Sequence, residues 1–154
     1  MQSFAFLLMP GFSAMAFFAA IEPLRIANRL AGQELYRWTI HAPHGDHALA
    51  SSGMELRCDG PLPDAPDALV VCAGFDPLVA AGQRLLGQVR RLWRAGCQVG
   101  AVDTGAFVLA EAGILGRDPI TLHWEAAGEF GQRYPRIPVS AELYERHARL
   151  FTCA

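Results

Sequence analysis

Apolar and polar positions alternate along this chain in blocks that switch period. Ser3–Met9 is a short apolar run closed by the turn Pro10-Gly11, and it reads as a first strand. A long apolar stretch follows from Ser13, a good helix cap, to Leu30, with Asn28 and Gly32 marking its end and Pro23 expected to kink it. Tyr36–Ala42 alternates as a second strand, and His47–Arg57 reads as a small hairpin turning at Ser51-Ser52-Gly53. Ala68–Cys72 is continuously apolar, the mark of a central parallel strand. Gln83–Arg94 places Leu85, Leu86, Val89 and Leu92 on one helical face. Gln98–Val102 is another buried strand, and it breaks directly into a helix ending near Gly113. Ile120–Leu122 reads as a short strand, His123–Arg133 as a helix, and Val139, Leu143-Tyr144 and Leu150–Thr152 as short extended pieces. Alternating strands and helices predict an α/β, doubly wound sandwich with a mostly parallel sheet and helices on both faces.

Composition narrows the class. The 154 residues suit one domain, and 52% hydrophobic against 18% charged residues suits a sheet covered on both faces. A net charge of −2 gives no basic face for nucleic acid; Arg90, Arg91 and Arg94 on one helix read as a solvated face. No apolar run approaches the ~18 residues of a membrane span, and the opening strand lacks the basic leader of a signal peptide. Cys58, Cys72, Cys97 and Cys153 form no CxxC pair and read as reduced thiols of a cytoplasmic protein. His41, His44 and His47 straddle Pro43 and Gly45, a spacing no regular element would align on a metal. No Walker loop, GxGxxG or HExxH is present, so neither cofactor nor metal is expected.

The chemistry collects at strand ends. Asp103 stands where strand breaks into helix, a place where many α/β enzymes carry a nucleophilic Ser or Cys. Its carboxylate is expected to cap the helix through the N–H of Gly105 or Ala106, and also to face a ligand together with Thr104. Ligands of doubly wound sheets bind beyond the carboxyl ends of the strands. Gly11-Phe12 and Gly74-Phe75 lie at two such ends, and the glycines permit close backbone approach. His123 could reach the elbow, with Trp124 as either core or ligand wall. Glu22 either pairs with Arg25 one turn on or faces the pocket.

Five segments, in order over nearly the whole chain, carry a resemblance. They are Leu7–Ser13 (LLMPGFS), Glu22–Arg29 (EPLRIANR), Asp103–Ala110 (DTGAFVLA), Thr121–Glu125 (TLHWE) and Phe151–Ala154 (FTCA). With them the chain resembles the N-terminal, PfpI-like domain of GlxA-type AraC/XylS transcription regulators, within the class I glutamine amidotransferase-like superfamily. The resemblance implies a flavodoxin-like fold over residues 1–154 and a helix-turn-helix module after Ala154, so the chain is expected to be part of a longer polypeptide and to meet DNA only through that module. It also implies a homodimer. Enzymes of the superfamily carry Cys at the elbow and an acidic partner in the first helix, which falls at about Ala16; with Asp103 and Ala16 there, catalysis is not expected. An elbow Asp resembles the regulators that sense amino acids and quaternary amines of the carnitine and betaine type. Phe12, Phe75 and Trp124 are expected to offer aromatic faces to an ammonium group. Two other readings stay open: a hydrolase or hydratase using Asp103 as acid or base, and a dimerisation module with a relict pocket.

Overall fold

A computed structural model describes all residues from Met1 to Ala154. The chain runs β1 (Gln2–Leu8), α1 (Ala14–Ala31), β2 (Tyr36–His41), β3 (His47–Leu49), β4 (Glu55–Arg57), β5 (Ala68–Cys72), α2 (Gln83–Arg94), β6 (Gln98–Val102), α3 (Ala106–Glu111), α4 (Ala127–Arg133), β7 (Tyr144–His147) and β8 (Leu150–Cys153). Six strands form one sheet in the order β2-β1-β5-β6-β8-β7, and β3 pairs with β4 in a separate hairpin. Every neighbour in the large sheet is parallel except β7, which folds back antiparallel on β8. The five parallel strands therefore carry the flavodoxin-type order 2-1-3-4-5. Strand order reverses between β1 and β5, and the crevice at that switch point is where such sheets receive ligands.

Alternation along the strands divides the core in two. Leu7, Leu69, Val71, Val99 and Ala101 turn toward α2, α3 and α4, where Leu85, Leu86, Val89, Leu92, Phe107 and Phe130 are buried against them. Phe6, Leu8, Val70, Cys72 and Val102 turn the other way and meet Phe12, Phe17 and Ile21 at α1, with Ala48 and Ala50 of the hairpin region. Burying both faces explains the continuous apolar runs of β5 and β6.

Ser13 caps α1 through its side chain, accepting from the Ala16 amide, and Gly32 closes the helix in the left-handed conformation at φ 63°. Pro23 lies inside α1; the bond it forgoes belongs to the carbonyl of Ala19, an exposed residue. Asn28 lies within the helix rather than at its end. Its Oδ1 accepts from the amides of Leu35 and Tyr36 at 2.8 and 2.9 Å, and its Nδ2 donates to the Tyr36 carbonyl at 2.7 Å. One side chain thus pins the start of β2 to α1. Asn28→Ala is expected to cost about 2–3 kcal/mol, roughly 1 kcal/mol for each bond lost, read as a lower urea midpoint at unchanged slope.

The expected strand at Ile120–Leu122 does not form. These residues are buried, but Ile120 makes only an isolated bridge to Val139. The reason is local: the Thr121 amide is taken by the Thr152 hydroxyl at 2.9 Å, and the Thr121 hydroxyl donates to the Glu142 carbonyl. The segment after it starts as one 3-10 turn, Trp124–Ala126, before α4. No helix is long and apolar enough to cross a membrane.

Candidate functional site

Between Val102 and Ala106 the chain passes from strand to helix with almost no loop, and Asp103 takes a left-handed conformation, φ 57°. Asp tolerates this region better than most residues. Its backbone is held on both sides: the Asp103 amide donates to the Cys153 carbonyl at 3.1 Å, and its carbonyl accepts from the His123 amide at 3.2 Å. Capping by Asp103, expected from the sequence, is not what the elbow does. Gly105 occupies the cap position of α3 and the helix has no side-chain cap. Its first turn instead closes tightly, with Phe107 donating to Thr104 and Val108 to Gly105, each at 3.1 Å.

Two glycines make the elbow possible by lacking a side chain. A Cβ on Gly105 would lie 2.3 Å from the Val71 carbonyl oxygen, and one on Gly74 would lie 2.3 Å from that of Gly11. Thr104 is buried, and its hydroxyl donates to the Gly74 carbonyl at 2.6 Å. Thr104 therefore braces the β5 and β6 ends against each other, and its donor is spent on that brace.

A cleft of about 560 Å³ opens over this corner. Gly74, Phe75, Asp103, Thr104 and His123 line it, as does the nearly buried Phe107 at its base. So do Ser13, Ser51 and three carboxylates that sequence reasoning missed: Asp76, Glu125 and Glu129. Glu125 and Glu129 are four residues apart across the start of α4, a spacing that puts both on one helical side; that signal was present in the sequence. The lining holds four carboxylates, one histidine, and no lysine or arginine.

Partial burial raises the Asp103 carboxyl above its ordinary value, while the His123 imidazole and the Thr104 amide oppose the rise. Asp103 is thus a partly buried carboxyl in a cleft with no lysine or arginine. Cys72, at the end of β5, is fully buried, and burial drives its thiol pKa strongly upward, so it stays a protonated core residue.

Three expected site residues lie elsewhere. Phe12 is fully buried and packs edge-on against Phe17 at 6.0 Å, filling the core on the α1 side of the sheet. Glu22 is exposed and bonded to Arg25 at 2.7 Å, so the ion pair prevails over the pocket-facing alternative. Burial of Phe17 and Ile21 turns the opposite side of α1 inward. Trp124 is 76% exposed and lines a neighbouring groove, not the cleft. Of the three aromatic faces expected there, Phe75 alone stands at the rim, 74% exposed. Away from the cleft, His41 is buried between Gly60 and Thr39, and His47 pairs with Asp46.

No family model matches the chain. Among curated proteins it is 48% identical over 146 residues to the HTH-type transcriptional regulator CdhR of Pseudomonas aeruginosa, covering 94% of this chain and 43% of that protein. It is 38% identical over 154 residues to the HTH-type transcriptional regulator GlxA of Rhizobium meliloti, covering 96% of this chain and 45% of that protein. The chain thus spans less than half the length of these relatives. Among solved structures, an AraC family transcriptional regulator from Pseudomonas putida superposes with a TM-score of 0.86 at 25% identity, over 99% of this chain and 83% of that one. A ThiJ/PfpI family protein from Pseudomonas syringae, at 21% identity, shares the fold with a TM-score of 0.78, over 99% of this chain and 62% of that one. The chain is thus similar over nearly its whole length to a part of HTH-type, AraC-family transcription regulators, and it shares the flavodoxin-like fold of ThiJ/PfpI proteins.

Proposed function

We propose that this chain is the non-catalytic, small-molecule-sensing and dimerisation part of an AraC-family regulator, and that its effector is an amino or quaternary-amine metabolite of the carnitine, betaine or amino-acid type. The observation that carries the reading is the charge of the cleft: Asp76, Asp103, Glu125 and Glu129 meet there with no lysine or arginine to neutralise them. A cation entering the cleft relieves their mutual repulsion and the desolvation of Asp103 at once. Phe75 at the rim adds an aromatic face for an ammonium group. DNA contact then belongs to a helix-turn-helix module outside these residues, and the effector acts by shifting the populations of the whole regulator.

A thermal-shift screen of carnitine, glycine betaine, choline and arginine tests this. A ligand at 100 times its Kd stabilises by about 2.7 kcal/mol, which raises Tm by roughly 5–10 °C for a chain of this size. If all four leave Tm unmoved, the amine reading fails. The raised Asp103 carboxyl beside His123 supports a second reading, acid–base catalysis. Amide or ester turnover that disappears in Asp103→Asn would establish it.

A further inference from the structure

Trp124 points away from the cleft, yet it is stacked on a residue that lines it. The His123 and Trp124 rings are 5.9 Å apart and 30° from parallel. His123 lines both the Asp103 cleft and a second groove of about 620 Å³, whose walls include Leu122, Trp124, Val139, Leu143 and Ala154. The two cavities therefore share one side chain as their partition. We propose that His123 and Trp124 form a relay that reports the state of the Asp103 cleft to this apolar groove. The proposal rests on the ligand-cleft reading and names the residues through which it is regulated.

The backbone on either side of the pair is fixed. Thr121 is held through its amide and its hydroxyl, the His123 amide bonds to Asp103, and the His123 carbonyl accepts from Ala126 at 3.0 Å. The rings are not: Trp124 is largely exposed and His123 only partly buried. Freedom is thus confined to two stacked rings on a rigid mount. The imidazole and the Asp103 carboxylate line the same cleft. A cation bound at Asp103 fills the space beside the imidazole, the imidazole turns, and the indole stacked on it follows into the groove.

The test needs no ligand. Fluorine NMR of the chain labelled with 5-fluorotryptophan reads Trp38, Trp93 and Trp124 as separate resonances, with Trp124→Phe making the assignment. Asp103→Asn removes the charge facing the imidazole while keeping a residue that accepts positive φ. The expected result is a displacement of the Trp124 resonance beyond its linewidth, with Trp38 and Trp93 unmoved. In a His123→Ala background the same substitution is expected to leave Trp124 where it was, the signature of a coupled pair. His123→Gln serves as the second background should the alanine variant shift Trp38 or Trp93. A stationary Trp124 in Asp103→Asn overturns the relay, and so does an equal displacement with and without His123. Failure of choline and arginine to bind by calorimetry would instead remove the ligand reading, and the two failures are separable.

Discussion

Gly105→Ala is expected to destabilise the chain by about 3 kcal/mol, the upper end of what overpacking a core costs. Gly105 is the cap residue of α3, where alanine is already less favoured than glycine. Space decides the magnitude. The added methyl would sit 2.3 Å from the Val71 carbonyl oxygen, and that oxygen belongs to a central strand that cannot retreat. Gly74→Ala meets the Gly11 carbonyl at the same distance and is expected to behave alike. Gly87 is the control. It lies inside α2, a Cβ there would meet nothing within 4 Å, and Gly87→Ala is expected to stabilise by about 0.5–1 kcal/mol. Urea denaturation of the three variants reads all of this. A Gly105→Ala midpoint equal to that of the wild type would mean that the elbow is looser than described.

Asp103→Asn is expected to weaken binding of a cationic effector at least about tenfold, or 1.4 kcal/mol, while making the unliganded chain more stable at neutral pH. The second effect follows from the raised carboxyl. A group whose folded pKa lies above its unfolded value, ~3.9 for Asp, contributes stability that is present below the unfolded value and lost as pH rises through the folded one. The wild type therefore falls behind the Asn variant as pH rises from about 4, and the two converge in acid. Asn accepts the left-handed conformation that Asp103 occupies. Alanine does so less well, so Asp103→Ala is expected to forfeit about 1 kcal/mol to backbone strain. Calorimetric binding and the pH dependence of Tm measure the two effects separately. A variant that binds the effector as the wild type does would take Asp103 out of the site.

The fold was legible in the sequence because burial on both faces writes itself as unbroken apolar runs. β5, β6 and the amphipathic α2 fall where periodicity puts them. Ile120–Leu122 shows the limit of that signal, since its residues are buried as a strand's would be while a threonine hydroxyl, not a neighbouring strand, takes the Thr121 amide. The corner over Asp103 was readable from a strand meeting a helix without a loop. Its capping role was misjudged because Asp-Thr-Gly reads like a cap, and only the positive φ separates the two. Phe12 and Trp124 show what aromatic character leaves open. One is wholly buried and the other mostly exposed, and residue type does not say which side of the backbone a ring takes.

The bond from the Asp103 amide to the Cys153 carbonyl has a consequence for the order in which a ribosome delivers this molecule. β1, β5, β6 and the helices between them are synthesised with their mutual contacts complete, so most of the sandwich can form during translation. The corner cannot. Its strained residue and the Thr121 segment both wait for β8, which arrives some fifty residues after the elbow itself. The nascent chain thus acquires a body first, and the backbone of the corner is fully bonded only once synthesis has passed residue 153.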